Sequence, residues 1–465
     1  GSEMCIRDRF ISIYCGLMIL LASCNNYLDV KPKGKIIPET AEDFSTIIHY
    51  WLDQIEKGRD DVIIPNPEVM TTLEMFADDL NATLASNFGY TSIYVGSAIN
   101  KNQATYKTLY SVIKDCNMVI GNMDDTESDL ARTLLGTAWS IRSICYYNLM
   151  QRYCEPYQPE TAKETLGLPL VDDFDMEAKP ARANLKETAE FIEEGFRKAL
   201  SYNVSNEDFI FTSSVTKAYF ARFFFWTQNW SNAITYAKEV LEKYPMLEAD
   251  EYVEAINQKQ AKAHNVIIRS FTMDDDIGTM SYATAQADIK SRPVDRNLVD
   301  LFAATDNDVR RRCNYDSKRI VNKIITTKFR SEELCLIIAE AHAHLNQETD
   351  ALGYLNQLRS KRITQNYIAY TIDNLPEVFQ QNIKTDATGI PLTKLMSAIL
   401  CERRKELFVE GDRWFELKRN GRPEFWVAAK GKKFITEKYL YTFPIPKADI
   451  RLFPDLLIQN PGYIE

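Results

Sequence analysis

Glycine is scarce, at 17 of 465 residues, too few for the turn density of a β-sandwich or barrel, and the composition tilts towards helix. Histidine is scarcer, with four residues at positions 49, 264, 342 and 344. His342 and His344 would lie about 200° apart around a helix, so they cannot grip one metal from a single face. The nine cysteines, at 5, 15, 24, 116, 145, 154, 313, 335 and 401, form no CxxC pair and no zinc-like spacing. No HExxH, GxSxG or GxGxxG occurs, and no Gly-rich loop suited to phosphate. The run Asp274-Asp275-Asp276 lacks the ligand spacing of a calcium loop. Positive charge is not in excess either: the net charge of −10 excludes the field that a nucleic-acid backbone requires. No apolar run reaches the roughly 20 residues of a membrane-spanning helix. These absences leave no catalytic, metal or cofactor motif.

What is present begins at the front. The apolar stretch Phe10 to Ser23 follows Arg7 and Arg9, the proportions of a secretory signal. It closes in Leu21-Ala22-Ser23-Cys24, which resembles a bacterial lipobox. The expected organisation is a signal peptide over 1–23, Cys24 as lipid attachment site with a tether over 24–40, and one domain over 41–465. Hydrophobic residues at 45% and charged residues at 26% suit a globular chain. Cys145, Cys335 and Cys401 fall in apolar helical patterns, where cysteine acts as a small buried hydrophobe, and the thiols are expected to be free.

Helical periodicity organises the rest. Thr40 is expected to cap a helix carrying Phe44, Ile47, Ile48 and Trp51, and a second helix runs around Met70 to Phe76. Ser128 opens a long helix with Leu130, Leu134, Ala138, Ile141, Cys145 and Leu149 in one stripe. Gly167 to Val171 reads as extended. Two helical hairpins follow one plan: Val215–Thr227, a turn over 228–230, and a helix capped by Ser231; then Glu333–Leu345, a turn over 346–348, and a helix from Thr349. Ala218, Ala221, Ala339 and Ala341 let paired helices approach closely. The fold class is therefore mainly α: a tetratricopeptide-like hairpin scaffold with irregular loops and small strands inserted. Two insertions interrupt it, near 78–101 and over 247–325, the latter read as irregular apart from a strand at Val266 to Phe271. Long insertions in a compact domain are usually functional.

The segment Cys401-Glu402-Arg403-Arg404-Lys405-Glu406-Leu407-Phe408-Val409-Glu410-Gly411-Asp412-Arg413-Trp414-Phe415-Glu416-Leu417-Lys418-Arg419 resembles the signature of the SusD/RagB family. Phe443-Pro444-Ile445-Pro446, the ending Gln459-Asn460-Pro461-Gly462-Tyr463, and Tyr27-Leu28-Asp29-Val30 after the lipobox are similar to that family too. Glu416 stands where the family more often has Asp. The resemblance implies a SusD-like fold and a lipid-anchored, glycan-binding protein of the outer membrane, facing the exterior. The implied partner is a SusC-like TonB-dependent transporter, to which it passes oligo- or polysaccharide. A RagB-like role in peptide or glycopeptide capture is the alternative; a glycoside hydrolase or a tetratricopeptide adaptor without a small ligand are further ones. No enzymatic activity and no cofactor are expected.

Within the signature, Glu402, Glu406 and Glu410 recur at i, i+4 and repel one another unless cations answer them. An ion-pair lattice is therefore expected, with Arg403 partly buried and Trp414 as packing. Gly411 is expected to end one helix and Asp412 to cap the next. A sugar surface needs flat aromatics and planar polar side chains on loops held by a rigid scaffold. The two insertions supply them: Asp78, Asp79, Asn81, Asn87, Phe88, Tyr90 and Tyr94 in the first, Asp276, Tyr282 and Arg292 in the second. Trp139, Trp226 and Trp230 read as core, and no exposed tryptophan platform is evident.

Overall fold

The structure, a computed structural model, describes residues 38–57, 62–86, 96, 105–174, 179–256, 258, 263–270, 278–303, 307–325, 327–429 and 431–463. Helix α1 (Ala41–Glu56) starts where expected, because Thr40 and Asp43 form a reciprocal capping box. Phe44, Ile48, Leu52 and Ile55 recur at helical spacing and are all buried. Asn66 caps α2 (Pro67–Phe76), whose first residue is a proline that needs no N–H partner there. After α3 (Thr105–Asn122), Ser128 Oγ accepts from Ala131 N at 3.2 Å and opens α4 (Asp129–Tyr153). The predicted stripe of α4 is buried, and so is nearly all of its circumference, since α1, α3 and α5 (Leu185–Ser201) pack around it. The extended segment near 167 becomes β1 (Leu166–Pro169), antiparallel to β2 (Arg182–Asn184).

The next hairpin is α6 (Ser213–Trp226) and α7 (Trp230–Lys243). Asn229, not Ser231, caps α7: Gln228 takes φ +61° and turns the chain a residue or two earlier than expected. The insertion over 247–325 holds more helix than its sequence suggests. It contains α8 (Ala249–Ile256), β3 (Val266–Arg269), α9 (Gly278–Lys290), α10 (Arg296–Val299) and α11 (Val309–Asn314). Helices as brief as α8, α10 and α11 accumulate no periodic stripe; Asp295 and Asp308 fix the last two through side-chain caps. The insertion has its own apolar cluster, in which Tyr282, Ile289, Val294 and Leu298 meet Phe408 and Val409.

Strand β4 (Lys328–Arg330) pairs antiparallel with β3 and leads into the hairpin α12 (Ser331–His344) and α13 (Glu348–Ser360). Ala218, Ala221, Ala339 and Ala341 are wholly buried at the hairpin contacts. Helix α12 packs against α7, α13 and α14 (Lys394–Glu406), which continues the stack. At the end of α14 the expected caps move. Leu407 closes the helix, Val409 and Gly411 turn the chain at φ +57° and +78°, and Gly411 opens α15 (Asp412–Arg419). Asp412 cannot cap because its carboxylate is held by Arg403 at 2.8 Å. An antiparallel hairpin follows, β5 (Phe425–Ala429) and β6 (Lys432–Thr436), then α16 (Lys447–Leu452). The tail is fastened: Gln459 both accepts from and donates to the Ile445 backbone at 2.9 Å, and Asn460 donates to Tyr153 O at 2.8 Å.

Candidate functional site

The signature carboxylates are answered one by one. Arg310 donates to Glu402 at 2.6 Å, Arg330 to Glu406 and Glu410 at 2.9 Å, and Arg362 to Glu406 at 3.0 Å. Lys405 pairs with Glu402 and Lys323 with Glu410, each at 2.6 Å. Burial opposes the charge on Glu402, but Lys405, Arg310 and Arg359 outweigh it and bring the carboxyl down to about 2. Glu406, facing Arg362, Arg330 and Arg310 against the same penalty, lies lower still. Groups held so firmly as carboxylates have no proton to donate at neutral pH. This is the expected lattice. Trp414 is packing, as expected: it is buried, stacked on Tyr441 with centroids 4.4 Å apart and edge-on to Phe76 at 5.3 Å.

The same signature reaches the first insertion. Arg413 Nε donates to Asp78 at 2.7 Å, and Arg404 Nε to Asp79 at 2.5 Å. Asp79 is fully buried, and Asp78 is partly exposed with its side chain turned inward. Asp78 is held well below the carboxylate range by Arg413 and Arg404 despite the burial of its side chain, whereas burial, reinforced by the charge of Asp78, pushes Asp79 up. From this anchor the two insertions are stitched together. Asn81 N donates to Pro293 O, Asp295 N to Asp79 O and Ser86 N to Ser291 O, each at 2.8 Å. Leu80 bridges Val294 in antiparallel fashion, and Asn81 Nδ2 reaches Asp295 Oδ2 at 3.0 Å. The structure therefore unites the stretches of Asp78, Asp79 and Asn81 with that of Arg292, but it buries several of the candidates. Arg292 is turned inward to Met75 O at 3.0 Å, and Tyr282 OH is spent on Gln286 at 3.0 Å. Asn81 is partly exposed. Asn87, Phe88, Tyr90, Tyr94, Asp276 and Cys24 lie outside the described residues.

A third element joins this corner. In the β5–β6 hairpin, Val427, Ala429 and Phe434 pack on Ala82, next to Asn81. Gly96, at φ +49°, lies so close that a Cβ there would fall 2.6 Å from the Phe434 carbonyl carbon. Period-two alternation turns the other hairpin face outward. Trp426 and Ile435 are direct cross-strand partners on it, 60% and 43% exposed. Lys433 Nζ stands 5.1 Å from the Trp426 ring centroid. A tryptophan this open, on a short paired hairpin, presents a flat apolar face to solvent.

The model described as "SusD family" matches residues 313–463, and the model described as "Starch-binding associating with outer membrane" matches residues 26–225. The chain belongs to the SusD-like family. Solved structures with the same fold include a SusD superfamily protein from Bacteroides vulgatus, 17% identical, covering 92% of this chain and 100% of its own at a TM-score of 0.69. A SusD-like carbohydrate binding protein from Bacteroides vulgatus is 18% identical over 90% and 98% of the two chains, with a TM-score of 0.64. A laminarin binding SusD-like protein is 16% identical over 91% and 99%, with a TM-score of 0.59. No curated protein sequence matches significantly.

In this SusD-like chain a cavity of about 120 Å³ lies away from the joined insertions, between Tyr219, Arg222, Trp226, Glu333 and Arg403. Arg222 and Arg403 both pair with Glu333 there. Among the described residues no cluster of His, Cys, Asp and Glu is arranged to hold a metal, and no helix is long and apolar enough to cross a membrane. Trp426 is the residue that sequence reasoning missed. Its signal is short but present: Phe425 to Ala429 and Lys432 to Thr436 flank Lys430-Gly431, a two-residue hairpin connection with Gly431 at φ +71°. Phase does the rest, since Val427 and Phe434 face inward and Trp426 must then face out.

Proposed function

We propose that this SusD-like chain is a surface lipoprotein, anchored through Cys24, that binds oligo- or polysaccharide and passes it to a SusC-like TonB-dependent transporter. Family membership supports the class of function, and one observation carries the local reading: the exposed Trp426–Ile435 face beside the joined insertions. A pyranose presents an apolar C–H face that stacks on such a ring, while its hydroxyls find polar partners on neighbouring loops. The chain acts here without catalysis; the buried signature acids serve architecture. Residues 1–23 are removed on export, 24–40 form the tether, and 41–465 are one domain, its recognition surface supplied by the insertions near 78–101 and 247–325.

The test is calorimetry and affinity electrophoresis of the 25–465 form against a polysaccharide panel, with oligopeptides in parallel. At least one glycan is expected to bind, and Trp426→Ala to weaken it by about tenfold or more, the scale of losing one buried aromatic contact. Binding of oligopeptides with no glycan retained would transfer the chain to the RagB-like alternative. Release of reducing ends from any polysaccharide would overturn the non-catalytic reading.

A further inference from the structure

The hairpin that exposes Trp426 is also a concentration of positive charge on an acidic protein. Its turn reads Lys430-Gly431-Lys432-Lys433, three lysines in four residues of a chain with net charge −10. Lys432 and Lys433 are both exposed. No ion pair among the described residues engages either of them, and the one contact of Lys433 is with the Trp426 ring. The nearest acid in sequence, Glu437, is engaged with Tyr439, and Glu424 turns a carboxylate oxygen to the Lys438 backbone N–H at 3.3 Å. Buried lysines of this chain find partners, Lys405 and Lys323 in Glu402 and Glu410 and Lys418 in the Gln151 and Arg152 carbonyls. The Lys433 ammonium instead stands exposed beside an open tryptophan.

We propose that this face recognises an acidic saccharide, one whose pyranose rings carry carboxylate or sulfate. The inference rests on the glycan-binding reading and adds the charge class of the ligand. The neutral C–H face of the sugar lies on Trp426 with Ile435 as the adjoining apolar floor. The acid group, which projects from the ring edge, reaches Lys433, which shares the hairpin face of Trp426 and Ile435. Exposed charges of this kind steer encounter and discriminate between ligands more than they add raw affinity, and salt screens them.

The test compares polygalacturonate oligosaccharides with the same oligosaccharides fully methyl-esterified, using calorimetry on the 25–465 form, with alginate, chondroitin sulfate and neutral glucans beside them. The ring and its stacking face are common to the acid and its ester; only the charge differs. An acidic saccharide is expected to bind about tenfold tighter than its neutral counterpart at low salt, and to lose that advantage near 0.5 M NaCl, where the screening length is only about 4 Å. Lys433→Gln, at an exposed position of β6, is expected to remove the preference while Trp426→Ala weakens both forms. Equal affinity for acid and ester, binding of neutral glycans alone, or a preference that survives Lys433→Gln would overturn the acidic assignment and leave glycan binding standing. Silence towards every saccharide would overturn the glycan reading itself. Binding to phosphatidylglycerol vesicles with no saccharide bound would give the face to an anionic lipid surface and overturn both.

Discussion

Glu74 is fully buried, with one carboxylate oxygen accepting from Gly411 N at 2.6 Å. Burial, and then the charge of Asp79, push its carboxyl up to about 8 from an ordinary 4.5. The folded state thus binds a proton that the unfolded chain releases. Stability from this site is complete below pH 4.5 and falls as pH rises towards 8. Glu74→Gln keeps the acceptor for Gly411 and removes the titration, so urea unfolding at pH 8 is expected to show a gain of about 4 kcal/mol, shrinking to about 1 kcal/mol or less near pH 5. An equal gain at both pH values would mean that Glu74 is already ionised at pH 5 in the folded state. Such a residue is hard to see in sequence, where Glu74 is one acid in an acidic helix. Arg403 was easier, because it falls where the stripe of Leu392, Leu395, Met396 and Ile399 continues, and it is indeed buried and paired with Asp412.

At the scale of elements, the joined insertions hang from two ion pairs. Arg404→Ala leaves Asp79 buried without its closest cation, and removing one partner of a buried pair costs about 3–5 kcal/mol. Hydrogen exchange is expected to quicken first at 79–86 and 291–295, with the hairpins α6–α7 and α12–α13 protected as before. Uniform loss of protection would place the lattice in the global core and not at a local hinge. The long helices were legible in sequence because stripes and caps coincide, as at Thr40 and Ser128. The short helices α8, α10 and α11 and the β5–β6 hairpin were not, since a segment of four to eight residues carries too few turns to show its period. That is why Trp426 was overlooked while Asp78 and Asp79, which look like ligand-binding residues, turned out to be inward-turned anchors.

The six thiols among the described residues are unpaired, five of them buried. Burial pushes Cys116 and Cys335 far above the usual thiol range, and Cys154 and Cys401 up to about 11. A thiol reagent at pH 8 is expected to label less than one equivalent of the native 25–465 form and six after denaturation; rapid native labelling would contradict the burial. In the full chain, Cys24→Ala is expected to move the protein from the membrane fraction to the soluble one, and retention in the membrane would defeat the anchor proposal. The family and overall architecture were legible because the signature, the ending and the hairpin plan recur in order along the chain. The proposed ligand surface was not, because it is assembled from three stretches that only folding brings together.

The contact between Arg413 and Asp78 spans 335 positions of chain. Contacts so distant in sequence close late, because their loop entropy must be met before any local reward arrives. The hairpin stack can form from neighbouring residues as the chain emerges, whereas the N-terminal insertion has no counter-ions until the last hundred residues are available. A chain shortened at its C-terminal end would then keep much of its helix and lose the recognition corner. The order of assembly is set by the signature: scaffold early, ligand surface last.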